Sequence, residues 1–218
     1  LSMQGKTILI DPVFQSSAAP VSWMIKRFQP TVLDINALPE IDYILISHDH
    51  YDHLEMATIQ YFRDADIKFI VPLGVSSHLK KWGVLPDKIV ELDWWQTTRI
   101  GELEFICTPA KHYSGRKGMT EIQKSLWASW VVKSDDKSVY FSGDSGYGDH
   151  YKKIGDRHGP IDLVFMDSGQ YNMRWQGVHN MPKQAVKAFR DIKGKHLVPV
   201  HWGMFSLAMH CLLYTSDA

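Results

Sequence analysis

Short apolar runs recur along the chain and alternate with segments of helical spacing. The apolar runs predict nine β-strands, at residues 7–10, 41–47, 68–72, 89–92, 103–108, 129–133, 138–142, 163–166 and 196–199. Apolar residues at helical spacing predict helices at 56–63, 75–82 and 182–191. The first helix is expected to place Met56, Ile59 and Phe62 on one side. Because strands and helices are mixed from early to late in the chain, we predict an α/β fold.

Length and composition suit one globular domain. The chain has 218 residues, of which 44% are apolar and 22% charged, a balance that permits a sizeable core. We predict a single domain over residues 1–210. Residues 211–218 follow no amphipathic pattern and are expected to be a non-native tail. Since the chain also opens almost directly on a strand, we expect it to be truncated at both ends.

Charge and cysteine content narrow the classes of function. Basic and acidic residues both number 24, so the formal net charge is zero, and the basic excess typical of nucleic-acid-binding proteins is missing. The two cysteines lie far apart, and Cys107 is expected to be a buried small residue. The sequence shows no signal peptide and no apolar run near the roughly 18 residues of a membrane span. We expect a cytoplasmic protein without a nucleic-acid partner, and leave membrane contact and oligomeric state open.

The strongest chemical signal follows the apolar run 41–47. It reads His48-Asp49-His50-Tyr51-Asp52-His53. Imidazole nitrogens and carboxylate oxygens are the ligands that zinc and similar ions accept, and a loop leaving a strand end aims alternate side chains at one point. The alternative is a solvated polar loop with chance histidines. So many ligand types in six residues favour a metal site.

This run resembles the metallo-β-lactamase superfamily. The resemblance implies a four-layer αβ/βα sandwich with a dinuclear metal site, and three further ligands, each after a strand. The candidates in the expected order are His112, Asp144 and His201. By resemblance, one metal is held by His48, His50 and His112. The other is held by Asp52, His53 and His201, and Asp144 bridges the two.

The resemblance extends to a group within that superfamily. Segments 91–95, 108–112, 126–130, 142–147 and 200–205 are similar to the N-acyl-phosphatidylethanolamine-hydrolysing phospholipase D family and its bacterial relatives, with ascorbate-phosphate lactonases as more distant cousins. The chain departs from this family in lacking an N-terminal strand pair and a proline-containing end. It also carries Asp167 where the family tends to have less polar residues. Asp167 is either a pocket residue or an extra acid near the metals.

Four residues are candidates for contact with substrate. The family places a histidine at the position of His179, where it would stabilise a developing oxyanion or protonate the leaving group. The alternative for His179 is a histidine packed at a helix start. Tyr171 and Trp175 are interpreted as pocket wall. Arg174 either pairs with a substrate phosphate or forms a surface salt bridge.

The resemblance also implies a mechanism. Two metals about 3.5–4 Å apart lower the pKa of a bridging water and produce hydroxide at neutral pH, with Asp52 and Asp144 holding it for attack. Our first hypothesis is a phosphodiesterase of phospholipase D type that acts on a lipid-like phosphodiester. The second is a lactonase or other carboxylic-ester hydrolase, and the third is a catalytically silent metal-binding module. Zinc is the expected metal, with manganese and iron as alternatives.

Overall fold

The structure, a computed structural model, describes residues 1–116, 123–169 and 171–207. The chain divides into two compact units. The N-terminal unit comprises Leu1–Asp93 and Ser114–Trp127, and the C-terminal unit comprises Trp94–Tyr113 and the described chain from Ala128 onward. The expected tail, residues 211–218, lies outside the described residues. Within the described chain, no helix has the length and apolar character needed to cross a bilayer.

The N-terminal unit is built on a five-stranded sheet of order β1-β2-β3-β4-β5. Only β1 runs antiparallel to its neighbour; the other pairs are parallel. Two helices, α1 and α2, lie between the strands in sequence. The elements are β1 Ser2–Met3, β2 Lys6–Ile10, β3 Tyr43–Leu45, α1 Met56–Phe62, β4 Lys68–Pro72, α2 Ser76–Lys81 and β5 Ile89–Leu92.

The core of this unit is formed by apolar side chains of the sheet and of α1 and α2. Ile44, Phe69 and Val71 from the strands pack with Ile59 and Leu79 from the two helices, and all five are fully buried. The prediction that Met56 shares this side is wrong, because its side chain is 47% exposed. Thr58 takes a buried position on α1 instead. Met56 is the first helical residue, and the buried positions of the helix begin two residues later, at Thr58.

The C-terminal unit contains a six-stranded sheet of order β11-β10-β9-β8-β7-β6. Strands β6 to β9 pair antiparallel, whereas β9, β10 and β11 are parallel. Strands β7, β9, β10 and β11 therefore run in the same direction and end at one edge of the sheet. The elements are β6 Thr97–Ile100, β7 Leu103–Pro109, β8 Ala128–Lys133, β9 Ser138–Phe141, α3 His150–His158, β10 Ile161–Asp167, α4 Pro182–Asp191 and β11 Gly194–Val200.

All nine predicted strands and all three predicted helices are present, with ends within two residues of the prediction. Among the β-strands and α-helices of the described residues, three were missed. Strand β1 has only two residues, and β6 alternates exposed and half-buried side chains at a sheet edge. Helix α3 contains few apolar residues and a glycine, so its helical spacing is weak. Cys107, on β7, is buried as expected.

Candidate metal centre

In the N-terminal unit, the ligand loop, residues 48–53, begins three residues after β3. His48 and His53 are buried, and His50 and Asp52 are half-buried. The His48 Nε2 and His50 Nδ1 atoms lie 2.9 Å apart. A tetrahedral zinc ion with nitrogen ligands at 2.0–2.1 Å would hold two such nitrogens roughly 3.3 Å apart. His53 Nε2 lies 3.5 Å from Asp52 Oδ2. The loop therefore forms two adjacent pairs of ligand atoms.

Asp11, the residue that follows β2, holds this loop in place through hydrogen bonds. Its carboxylate accepts hydrogen bonds from Ser47 N, at 2.7 Å, and from Ser47 Oγ, and it lies 2.7 Å from His53 Nδ1. Because Ser47 Oγ donates to Asp11, it acts as acceptor for His48 Nδ1 at 2.9 Å. These contacts place a proton on Nδ1 of both His48 and His53. Their Nε2 lone pairs are then available to a cation.

Asp49 ties the ligand loop to another part of the same unit. Its side chain is buried and accepts hydrogen bonds from Gly115 N (2.7 Å) and Ser125 Oγ (2.9 Å), and His78 Nε2 lies 3.3 Å away. Burial raises the pKa of the Asp49 carboxyl, but these hydrogen bonds outweigh it and hold that pKa below its ordinary value. Asp49 is an anchor of the loop that the sequence did not reveal, since its partners lie 29 to 76 residues away.

In the C-terminal unit, four predicted site residues meet at the edge where the parallel strands end. Asp144 is at the centre. Its Oδ2 lies 3.7 Å from His112 Nε2 and 3.9 Å from His179 Nε2, and its Oδ1 lies 3.4 Å from His201 Nδ1. His112 follows β7, Asp144 follows β9 and His201 follows β11 directly. The rings of His179 and His201 stack with centroids 5.6 Å apart.

Close backbone packing positions these side chains. His112 Nδ1 lies 3.0 Å from the Val178 carbonyl oxygen, which acts as its acceptor and leaves the Nε2 lone pair facing Asp144. Beside Asp144, a Cβ on Gly146 would come within 2.2 Å of the Gly177 carbonyl oxygen. Only glycine therefore permits the Asp144 turn to approach the loop that carries His179.

Asp167, at the end of β10, is fully buried beside this cluster. Its carboxylate accepts hydrogen bonds from Ser145 N (3.1 Å) and Gly169 N (2.9 Å). The same carboxylate lies 3.1 Å from His179 Nδ1 and 3.5 Å from His201 Nδ1. Ligand atoms of Asp144, Asp167, His179 and His201 all lie within 4.8 Å of one another. Of the two roles that the sequence left open for Asp167, an acid next to the candidate metal ligands fits this position.

Neighbouring charges in this cluster shift the pKa values of Asp167 and His179. Burial opposes ionisation of Asp167, but the neighbouring His179 and hydrogen bonds from His179 and His201 lower its pKa to about 2. Burial lowers the pKa of His179, yet the carboxylates of Asp144 and Asp167 outweigh burial and raise it above the ordinary value. His179 thus favours its protonated form next to an ionised Asp167.

The predicted pocket residues Tyr171, Arg174 and Trp175 lie on the loop that leads from β10 to α4. The Trp175 carbonyl accepts the His179 N–H at 3.2 Å, so this loop sets the backbone position of His179. The Arg174 side chain is exposed, and Tyr171 and Trp175 are half-buried. Contact of these three residues with a substrate stays a prediction.

Each unit therefore carries imidazole nitrogens and carboxylate oxygens that could bind a divalent cation. They form two pairs in the ligand loop of the N-terminal unit and one four-residue cluster in the C-terminal unit. Most of the histidines donate from one ring nitrogen to a fixed oxygen acceptor, which is the arrangement that orients metal-binding histidines. The division of the ligands between two metals stays a prediction.

Comparison with known proteins identifies the family. A model of the Beta-lactamase superfamily domain matches residues 6–202. An uncharacterized protein of Mycobacterium tuberculosis is 42% identical over 215 residues, or 96% of this chain and 57% of the relative. N-acyl-phosphatidylethanolamine-hydrolyzing phospholipase D 1 of Caenorhabditis elegans is 31% identical over 220 residues, or 95% of this chain and 62% of the relative. The chain thus spans 57–62% of the length of these two curated relatives.

Structural similarity agrees with the family match. The crystal structure of isothiocyanate hydrolase from Delia radicum gut bacteria matches with a TM-score of 0.77 at 15% identity, covering 100% of this chain and 86% of that one. At this identity the likeness shows a shared fold. The α/β fold class with two sheets, predicted from the sequence, is confirmed. The chain belongs to the metallo-β-lactamase superfamily, which includes metal-dependent hydrolases.

Proposed function

We propose that this chain is the catalytic domain of a dinuclear-metal-dependent phosphodiesterase of phospholipase D type, acting on a lipid-like phosphodiester. The observation that carries the proposal is the similarity, over 95% of the chain, to a protein named as an N-acyl-phosphatidylethanolamine-hydrolyzing phospholipase D. Every residue of the predicted ligand set lies just after a strand.

We assign His48, His50 and His112 to one metal. Asp52, His53 and His201 are assigned to the other, with Asp144 as the bridge. When bound, the two ions would lower the pKa of a water molecule and polarise the scissile ester. Zinc suits this nitrogen-rich set of ligands best. The fixed acceptors of His48, His53 and His112 support the assignment, because each leaves an Nε2 lone pair for a cation.

His179 is assigned the proton transfer to the leaving alkoxide. Its Nδ1 faces Asp167 at 3.1 Å, which keeps a proton on that atom. Its Nε2 faces Asp144 at 3.9 Å and is the atom from which a proton would pass to the leaving oxygen. Burial lowers the pKa of His179, but the carboxylates of Asp144 and Asp167 outweigh burial and raise it, which favours the proton-bearing form that this role needs.

The test combines metal analysis with two classes of substrate. We expect about two zinc ions per chain by elemental analysis, turnover of bis-p-nitrophenyl phosphate, and a loss of at least about a hundredfold in that turnover in Asp144→Asn. The matched control is Asp162→Asn, at the start of β10, which should retain turnover. Hydrolysis of lactones without phosphodiesters would replace the proposal by the lactonase hypothesis. Two bound metals with no turnover of either class would indicate a catalytically silent module.

A further inference from the structure

An exposed apolar segment lies outside the ligand cluster of the N-terminal unit. Six large apolar side chains in residues 21–33 face solvent, and two of them do so almost completely: Trp23 is 72% exposed and Val32 is 99% exposed. The other four are Val21, Met24, Phe28 and Leu33. Single exposed apolar residues are ordinary, but six within residues 21–33 are typical of a contact surface.

The first of these side chains lie on a hairpin-like loop, residues 16–27. The base of this loop is held by hydrogen bonds. Ser17 and Lys26 form an antiparallel bridge, Ala18 N donates to Ile25 O at 3.0 Å, and Arg27 N donates to Ser16 O at 2.8 Å. The Arg27 guanidinium also donates to the carbonyl oxygen of Val13 at 2.7 Å. The base is therefore tied to the chain that leaves β2. Val21, Trp23 and Met24 lie on this loop, and Phe28, Val32 and Leu33 follow it in the chain.

Some of the backbone groups at the tip of this hairpin are hydrogen-bonded within the loop. Met24 N donates to Val21 O at 3.1 Å. The Ser17 hydroxyl donates to the carbonyl oxygens of both Val21 and Met24. Unsatisfied backbone groups are what makes entry of a loop into a lipid interface costly. The carbonyl groups of Val21 and Met24, on either side of Ser22 and Trp23 in the chain, therefore already have donors.

The charged side chains of this segment are all basic. Between Pro12 and Leu33 there is no Asp or Glu, whereas Lys26 and Arg27 are present and Lys26 is exposed. A tryptophan and aliphatic side chains next to basic residues are the combination that binds the boundary between headgroups and acyl chains of an anionic bilayer.

The base of the hairpin is continuous with a cavity that reaches the ligand loop. Gln15, Ser17 and Pro20 line one side of a cavity of about 500 Å³, and Tyr51 lines it as well. Tyr51 lies in sequence between His50 and Asp52, two of the assigned ligands. The exposed segment and the ligand loop thus share one concave surface within the N-terminal unit.

We propose that residues 16–33 dock this protein on the surface of an anionic lipid bilayer, with Trp23 and Val32 in the interface and Lys26 among the headgroups. The inference rests on the proposed function, because it makes the bilayer the source of the phosphodiester substrate. The binding itself is measurable without any turnover.

The experiment is co-sedimentation of the full chain with vesicles of phosphatidylcholine alone and of phosphatidylcholine with a quarter phosphatidylglycerol. We expect binding to the anionic vesicles that is weakened about tenfold or more by Trp23→Ser/Val32→Ser. Lys26→Glu should weaken binding to anionic vesicles only. Leu85→Ser removes an apolar side chain that is 57% exposed elsewhere in the same unit, and it should bind like the unmodified chain.

Several outcomes would overturn the inference. They are a chain that stays in the supernatant with both vesicles, variants that bind undiminished, and a dimer in gel filtration that dissociates in Trp23→Ser/Val32→Ser. Turnover of bis-p-nitrophenyl phosphate, measured in parallel, should be unchanged in this variant. Turnover without vesicle binding would contradict the docking inference and support the proposed function. Vesicle binding without turnover would contradict the proposed function and support the docking inference.

Discussion

His179 Nδ1 lies 3.1 Å from Oδ2 of Asp167, a carboxylate that is completely shielded from solvent. A buried, ionised acid at this distance fixes which ring nitrogen carries the proton and which way the ring faces. It also raises the pKa of the imidazole through its charge. Asp167 therefore acts as a positioning residue for His179.

Asp167→Asn tests this relationship. The amide cannot accept hydrogen bonds at both of its terminal atoms, so the His179 ring loses its fixed orientation. We expect kcat for a phosphodiester to fall about 10- to 100-fold with little change in KM or in metal content. Because the negative charge is also removed, the pKa of His179 should fall, and the basic limb of the pH profile of kcat should move to lower pH.

The control for this variant is Asp162→Asn on the same strand. Asp162 accepts from Ser138 N and pairs with Lys195, and it makes no contact with His179 among the described residues. Its replacement should leave kcat and the pH profile unchanged. Loss of a metal ion from Asp167→Asn would show that Asp167 supports metal binding, either as a ligand or through His201, whose Nδ1 lies 3.5 Å away. That result would contradict a role confined to positioning His179.

Asp11→Asn tests the support of the ligand loop. The Asp11 backbone has a φ of +43°, a left-handed conformation that asparagine also tolerates, so the turn after β2 should persist. In the unmodified chain, the Asp11 carboxylate oxygens accept hydrogen bonds from Ser47 and contact His53 Nδ1. An amide has only one acceptor oxygen and cannot keep all of these contacts. We expect metal affinity to fall about 10- to 100-fold in competition with a chelator.

The matched variant for Asp11 is Asp42→Asn, which removes a carboxylate bonded to Lys6 and Thr7 in the same unit. This variant should bind metal like the unmodified chain. Equal metal affinities for Asp11→Asn and the unmodified chain would show that Asp11 has no role in holding His53.

These residues also show how far the sequence predicts the site. The ligand loop could be predicted because five histidine and aspartate side chains follow a buried strand within six residues. The later ligands could be predicted because each follows an apolar run. The roles of Asp11 and Asp49 were not visible. Their partners lie 36 to 42 and 29 to 76 residues away in the chain. The pairing of β2 with β3 brings Asp11 next to Ser47, and the partners of Asp49 lie on α2 and in the segment Ser114–Trp127.

The elements that the sequence missed have a similar cause. Helix α3 exposes most of its surface, and its buried residues are Tyr151, Ile154 and Gly155. A glycine inside a helix normally argues against the helix. Here it is required by tertiary packing, since a Cβ on Gly155 would lie 2.1 Å from the carbonyl oxygen of Asp191 at the end of α4.

Gly155→Ala should therefore destabilise the C-terminal unit. The added methyl group meets backbone atoms of Asp191 and Ile192, which cannot move without shifting α4 against α3. We expect the free energy of unfolding in urea to fall by about 1–3 kcal/mol, although alanine has the higher helix propensity. Gly177→Ala is the comparison, because a Cβ at Gly177 has no atom within 4 Å. Equal stabilities of the two variants would contradict this packing argument.

His150 should make folding depend on pH. Burial, reinforced by the charge of Lys111, lowers the pKa of His150 from 6.5 to about 4. The unfolded chain therefore binds more protons than the folded chain between these two values, and stability rises with pH across that window. The contribution of His150 to stability is fully present above about pH 6.5 and is lost as the pH falls through about 4. At 1.36 kcal/mol per pKa unit it amounts to about 3 kcal/mol in total.

His150→Gln isolates this contribution from those of the other histidines. Urea unfolding of both proteins, freed of metal with a chelator, should be followed from pH 7 to pH 4. We expect the unmodified chain to lose about 2–3 kcal/mol more than the variant over this range, because glutamine does not titrate and the other groups are common to both. Parallel curves would mean that His150 is protonated as readily in the folded chain as in the unfolded one.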